Sequence, residues 1–133
     1  MSKSPFSLER SCIKTLSAVE AERNRSNQHE FNGVRALKNI FGLEKFKQDA
    51  YFSIRGERVS CIKPITWYDA REEHSTRTEH RLYFSGNIVM NEAQEGDNIV
   101  IGFDTSNKIH IILIKRNTPE HKGSICNWEG EVK

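Results

Sequence analysis

Two apolar runs set four residues apart constrain the fold of this chain more than anything else in it. Asn98–Phe103 (NIVIGF) and Lys108–Lys115 (KIHIILIK) flank Asp104-Thr105-Ser106-Asn107, a polar stretch of turn formers. Alternating apolar residues, rich in Ile and Val and bounded by such a turn, predict the two strands of a β-hairpin. A lone hairpin is marginal in water. The rest of the chain must therefore supply further strands to pack with it.

It contains several. Ser11–Ala18 reads as a strand, with Cys12, Lys14 and Leu16 on one side and Ile13 and Thr15 on the other. Ala50–Ile54 and Glu57–Ile65 read as two more, turned at Arg55-Gly56, and Arg81–Phe84 as another with Leu82 and Phe84 alternating. Trp128 marks a last short strand. Asn32-Gly33 opens a helix with Val34, Leu37, Ile40 and Phe41 on one face and Gly42 as its stop. A second short helix is expected from Ile88 to Gln94, capped by Asn87, followed by a tight turn at Glu95-Gly96-Asp97. The sum is a mainly β domain of about seven strands and two short helices. A closed or nearly closed barrel accommodates it with little exposed edge.

The chain has 133 residues, a size that suits one domain, and no repeat or Pro/Gly-rich linker divides it. No apolar run approaches ~18 residues, so no membrane span is expected. The opening MSKSPFSLERSC lacks the apolar core of a secretory signal, which points to the cytoplasm. Cys12, Cys61 and Cys126 form no Cys-x-x-Cys pair and are expected as buried thiols, without a structural zinc. Net charge is only +2, but its distribution is uneven. Residues 1–65 carry 12 Lys/Arg against 7 Asp/Glu, a balance of +5, and residues 66–133 carry 8 against 11, a balance of −3. A basic surface drawn from the first half suits phosphate contact.

Two polar stretches interrupt the strands, Glu20–Asn32 and Asp69–Glu79, and both read as long loops. Connections of this length in a compact β domain are usually functional. The first carries Arg23, Arg25, Asn27, Gln28, His29 and Glu30. The second carries Arg71, Glu72, His74, Arg77, Glu79, His80 and, just beyond it, Arg81. These are side chains that read base edges: Arg forks onto guanine, Asn or Gln pairs with adenine, and Glu accepts from the cytosine amino group. The same charges also compose an ordinary surface ion-pair cluster.

The run Ile13-Lys14-Thr15-Leu16-Ser17-Ala18, followed by Gln28-His29-Glu30, resembles the start of the amino-terminal domain of the EcoRII-type restriction endonucleases. Arg77-Thr78-Glu79-His80-Arg81-Leu82 is similar to that family's R-x-E-x-R-[LI] segment, with Arg71 at an upstream arginine. Gly96-Asp97-Asn98-Ile99-Val100-Ile101 is similar to its G-D-x-[IL]-x-[IL] segment. The likeness spans roughly residues 11 to 116 with its pieces in order. There are departures: Asn24-Arg25-Ser26-Asn27 stands where the family has a Gly-rich stretch, Glu30 where Gln is typical, and His80 where Lys is usual.

The resemblance implies a DNA-binding pseudobarrel, a fold shared with plant auxin-response-type transcription factors. It would be the recognition or effector domain of a type II enzyme in a bacterial restriction–modification system. Two arms would grip duplex DNA from opposite sides and read a CCWGG-like site (W is A or T) through the major groove. His29 and Glu30 would belong to the first arm, and Arg71, Arg77, Glu79, His80 and Arg81 to the second. By chemistry and resemblance together, Arg77 and Arg81 would contact guanines and Glu79 a cytosine. Lys14, Arg23, Arg25, Arg35 and Lys38 are the phosphate candidates.

Catalysis in that family belongs to a separate domain, fused or associated, which alone would need Mg2+. A Glu-x-Lys triplet, Glu131-Val132-Lys133, stands at the carboxyl end of the sequence, where a metal site is not expected. No catalytic residue, metal ligand or cofactor is expected. The aromatic residues lie mostly in strand patterns and are expected in the core; Trp67 and Tyr68, just before the second arm, are placed to stack or to pack beneath it. The alternatives are a protein-interaction module with charged arms and a small metal-dependent nuclease.

Overall fold

The computed structural model describes residues 8–25, 30–32, 34–71 and 79–131. Along them run β1 (Arg10–Thr15), α1 (Ala18–Arg25), β2 (Glu30–Asn32), α2 (Arg35–Phe41), β3 (Phe46–Ile54), β4 (Ser60–Asp69) and β5 (His80–Phe84). A 3-10 turn (Met90–Glu92) follows, then β6 (Asn98–Phe103), β7 (Ile109–Ile114) and β8 (Glu129–Glu131). The eight described strands form one sheet in the order β2-β5-β4-β3-β7-β6-β1-β8. Every pairing is antiparallel except β3 with β7, where Ala50 lies beside Ile109 and Ile54 beside Leu113.

Alternation places Cys12, Ala50, Phe52, Ile65, Trp67, Leu82, Phe84, Ile99, Ile101, Ile109, Ile111 and Leu113 in one fully buried cluster. A single sheet encloses such a core by curling on itself. The edge strands consequently approach each other: Phe31 of β2 meets Trp128, just before β8, with ring centroids 5.6 Å apart and planes nearly perpendicular. Helix α2 lies along this seam. Its first turn borders the same recess as Lys14, Asn127 and Trp128, and Phe41 in its last turn packs on Phe46, Trp67 and Phe103. Gly42 ends it with a φ of 81°, and its carbonyl accepts a 3.0 Å hydrogen bond from Trp67 Nε1. The architecture is a mainly β, curled half-barrel, as the alternation predicts, with eight strands among the described residues where about seven are expected.

The β7–β6–β1 half is covered on its outer face too. Leu8, Ile13, Val100, Ile112 and Ile114 form a second buried cluster there, with Ile125 packed against it. The chain from 115 to 128 crosses this face to carry β8 to the far side of β1. It is tied down by Thr15 N to Ile125 O (2.8 Å), Ile125 N to Thr15 Oγ1 (2.8 Å) and Lys122 N to Asn98 Oδ1 (2.7 Å). Asp97, 1% exposed, closes the layer by accepting from Gln94 N, Arg116 N and Lys115 Nζ at 2.9, 3.0 and 2.7 Å. Gly102 sits so close to β1 that a Cβ there would lie 2.3 Å from the carbonyl oxygen of Arg10.

Several expectations are corrected. Glu20–Asn32 is not one loop: α1 occupies Ala18–Arg25, and Glu30–Asn32 pairs as β2. The cause is a capping box. Ser17 Oγ accepts from Glu20 N (3.2 Å), while Glu20 Oε1 accepts from Ser17 N (3.0 Å). The helix has no large apolar residue on its inner side, Ala21 being buried and Val19 exposed, so periodicity does not reveal it. The first strand ends at Thr15, β3 begins four residues before Ala50, and β4 continues to Asp69. The helix expected at Ile88–Gln94 shrinks to one 3-10 turn, although Asn87 does cap it, accepting from Val89 N (3.1 Å) and Met90 N (2.9 Å). Of the three cysteines only Cys12 is buried; Cys61 is half-buried and Cys126 exposed.

Candidate nucleic-acid interface

The outer face of the other half, β2–β5–β4, carries polar side chains. With Trp67 and Leu82 inward, Thr66, Tyr68, Arg81 and Tyr83 point outward. Register aligns them in rows. Lys47, Thr66, Tyr83 and Glu30 face one another across four strands, and Tyr68 lies opposite Arg81 in the next row. Lys45, Thr66, Tyr68, Asp69, Ala70 and Tyr83 line a shallow recess of about 510 Å³ on this face.

Both arms join the sheet here. Residues 26–29 lead into Glu30, and 72–78 lead into Glu79. Since β2 and β5 are antiparallel, with Glu30 opposite Tyr83 and Asn32 opposite Arg81, the arms join this pair at opposite ends. Counted along β5, Glu79 stands four residues from Tyr83, the partner of Glu30, so the junctions are roughly 13 Å apart. The neck of the second arm is closed by Ala70 N to Glu79 O (2.7 Å) and by Asp69 Oδ1, which accepts from Arg71 N (2.9 Å) and Glu79 N (2.7 Å).

A connected set of side chains spans the two junctions. Arg71 Nε donates to Glu79 Oε1 (2.9 Å), and Arg81 donates to Glu79 Oε2 through Nε (3.0 Å) and Nη2. From its other side, Arg81 Nη1 donates to Glu30 Oε1 (3.3 Å), and Tyr68 Oη donates to Glu30 Oε2. These contacts shift the ionisation of four of the groups near the neck, Tyr68, Asp69, Glu79 and Arg81. The Arg81 guanidinium first, then Arg71, holds the Glu79 carboxyl below the usual carboxylate range, and Glu79 in turn raises Arg81. The amides of Glu79 and Arg71 hold Asp69 low. Burial first, then the neighbouring Glu30 carboxylate, pushes the Tyr68 phenol up to about 12.

Of the residues expected to read bases, Glu30, Arg71, Glu79 and Arg81 come together in this cluster; His29 and Arg77 lie outside the described residues. His80 needs correction as a base reader. It is 5% exposed, its ring stacks on Trp67 at 5.2 Å, and its Nε2 is bonded to the Leu43 carbonyl (3.0 Å). A carbonyl only accepts, so the proton sits on Nε2 and the ring is a core plate beneath the neck. Trp67 likewise packs inward.

Among the phosphate candidates, Lys14 is corrected too. Its ammonium is 2.6 Å from Glu20 and 3.1 Å from the Thr15 carbonyl, and its side chain is 13% exposed, so it anchors the start of α1. Arg35 is exposed on the first turn of α2. Lys38, one turn on, is near enough to Asp69 to help lower its pKa. The side chains of Arg23 and Arg25 lie outside the described residues. Sequence reading missed Lys45 and Lys47; their signal was the period of two that places both on one face. Tyr68, singled out beside the second arm, points outward with its hydroxyl donating to Glu30.

No protein-family model matches the chain, and no curated protein matches it. Among the described residues no group of three or more His, Cys, Asp or Glu side chains is arranged to hold a metal ion, and no helix is long and apolar enough to cross a membrane.

Proposed function

We propose that this chain binds a short, specific sequence of duplex DNA through the β2–β5–β4 face and its two arms, as the recognition domain of an EcoRII-type restriction endonuclease whose cutting is done elsewhere. The observation that carries this reading is the gathering of Arg71, Glu79 and Arg81 at the neck of one arm, joined through Glu30 to the root of the other. Arginine offers a planar fork to guanine, and a carboxylate among DNA-facing cations accepts from cytosine. Lys38, Lys45 and Lys47 border the cluster and supply phosphate contacts that set register. Arms rooted at opposite ends of one strand pair suit a grip on both sides of a groove.

A protein-interaction module is the second reading. It is favoured by the near balance of charge on the face, where Glu30, Asp69 and Glu79 offset Lys45, Lys47, Arg71 and Arg81, and by its two outward tyrosines. Sequence discrimination separates the two. A gel-shift titration would compare a CCWGG duplex with its scramble at ~150 mM salt without metal. Specific recognition predicts at least a ~10³-fold preference, and Glu79→Ala should shrink that preference more than it weakens binding to the scramble. Equal binding to both duplexes directs the search to another site by randomised selection. Failure to bind any duplex, even at low salt, sinks the DNA reading in favour of a protein partner. Magnesium-dependent cleavage by this chain alone would instead point to Glu131-Val132-Lys133.

A further inference from the structure

We propose that Tyr68 and Glu30 are positioning residues that hold the Arg81 guanidinium in a fixed plane and, through it, clasp the roots of the two arms together. The proposal rests on the DNA-binding reading above and names the residues on which its specificity depends. The contacts run without a gap from Tyr68 to Glu30, Arg81, Glu79 and Arg71. Glu30 immediately follows the first arm, and Arg71 and Glu79 bound the second, so the path crosses from one arm to the other. Arg81 stands in its middle, gripped by one carboxylate on each side.

This geometry has a chemical consequence. A guanidinium reads guanine only when its plane lies with the base, and a free arginine loses rotamer freedom when it is fixed there. Glu79 alone binds one edge of the fork and leaves the side chain able to swing. Glu30 on the opposite Nη1 removes that freedom, and the Tyr68 hydroxyl holds Glu30 in turn. Among the described residues, three of the five Arg81 N–H groups are engaged this way, which leaves two for a base. With side chains 28% and 35% exposed, Glu30 and Arg81 are shielded enough for their contact to hold in place yet open to a ligand. Glu30 is therefore a strut set in the sheet rather than a base reader, and Tyr68 contributes through its hydroxyl without touching DNA.

Tyr68→Phe removes that hydroxyl and little else. The full chain is labelled with nitrogen-15, and the exchange of the Arg81 Nε–H is followed by NMR, with Arg81→Lys assigning the signal. Separately, affinities are measured for the duplex selected by the wild-type chain and for duplexes changed at one base pair each. The expected result is faster Nε–H exchange together with a loss of roughly tenfold in discrimination at one base-pair position. Binding to scrambled DNA and the thermal midpoint stay unchanged. Glu30→Gln, which keeps one acceptor for Arg81, falls between wild type and Glu30→Ala.

Unchanged Nε–H exchange and unchanged discrimination in Tyr68→Phe overturn the proposal. So does an equal loss at every position accompanied by a lower thermal midpoint, the mark of a purely structural hydroxyl. A wild-type chain indifferent to duplex sequence overturns the DNA reading instead, and the Nε–H measurement on the free protein still decides whether the clasp exists.

Discussion

Ile112 and Ile62 lie on the same outer face of one sheet, yet Ile112 is fully buried and Ile62 is 54% exposed. The difference is what covers them. Over β7, β6 and β1 the crossing segment 115–128, with Ile125, and Leu8 cover the outward Ile13, Val100, Ile112 and Ile114, and the strands beneath are buried on both faces. Over β4, β5 and β2 the same face carries Thr66, Tyr68, Arg81 and Tyr83. One half of the sheet holds the molecule together, and the other is left to present side chains. Polar groups follow the same division. Asp97 is itself buried and fully paired as part of the covered half, whereas Glu79 and Arg81 meet at about one-third exposure, where an ion pair contributes little to stability but remains open to exchange.

The sharpest way to break this contrast is at Asp97. Asp97→Ala strands the Lys115 ammonium and two backbone amides, and should cost about 4 kcal/mol in denaturant unfolding. An effect under about 1 kcal/mol would mean that the covered half is not the stabilising one. Next comes the isoleucine pair: Ile112→Ala should cost about 3 kcal/mol, and Ile62→Ala should stay within about 0.5 kcal/mol. Equal losses would show that Ile62 is covered in solution.

On the open half the ranking reverses between stability and binding. Arg81→Ala should change unfolding by less than about 1 kcal/mol, yet remove about 1–3 kcal/mol of discrimination at one base pair in competition binding. The smallest expected effect is in pH dependence. Burial opposes ionisation of Asp104, but the Lys108 amide, His110 and the Ser106 amide outweigh it, so its folded pKa lies below its unfolded value. Its contribution is then fully present above the unfolded value of about 3.9 and is lost as pH falls through the lowered folded value. The stability gap between wild type and Asp104→Asn should narrow as pH falls below about 4. A gap that widens there would reverse the assignment.

Much of the fold was legible because its signals are local. The 98–115 hairpin, the Gly42 stop and the Arg55-Gly56 turn follow from alternation and turn chemistry that a few residues specify. Helix α1 was legible as well, in Ser17 and Glu20, but a helix without an apolar stripe hides from a reading led by periodicity. The site was half legible. Arg71, Glu79 and Arg81 stand out by composition and Tyr68 by its place before the second arm, but nothing local reveals that the Tyr68 hydroxyl meets Glu30, 38 residues away. His80 looks like its charged neighbours until Trp67 and Leu43 are found on either side of it.

By itself the sequence determined the strands of the 98–115 hairpin and the cores of β1, β3, β4 and β5, with the apolar residues that face inward from them, because a period of two and a turn are written within ten residues. The tertiary structure alone decided that β2 pairs with β5, that 115–128 covers one half of the outer face, and that Glu30 meets Arg81 fifty-one residues away. Such pairings depend on how a curled sheet closes and on which edge each strand finds. That is settled by summed burial over the whole chain, which no local stretch encodes.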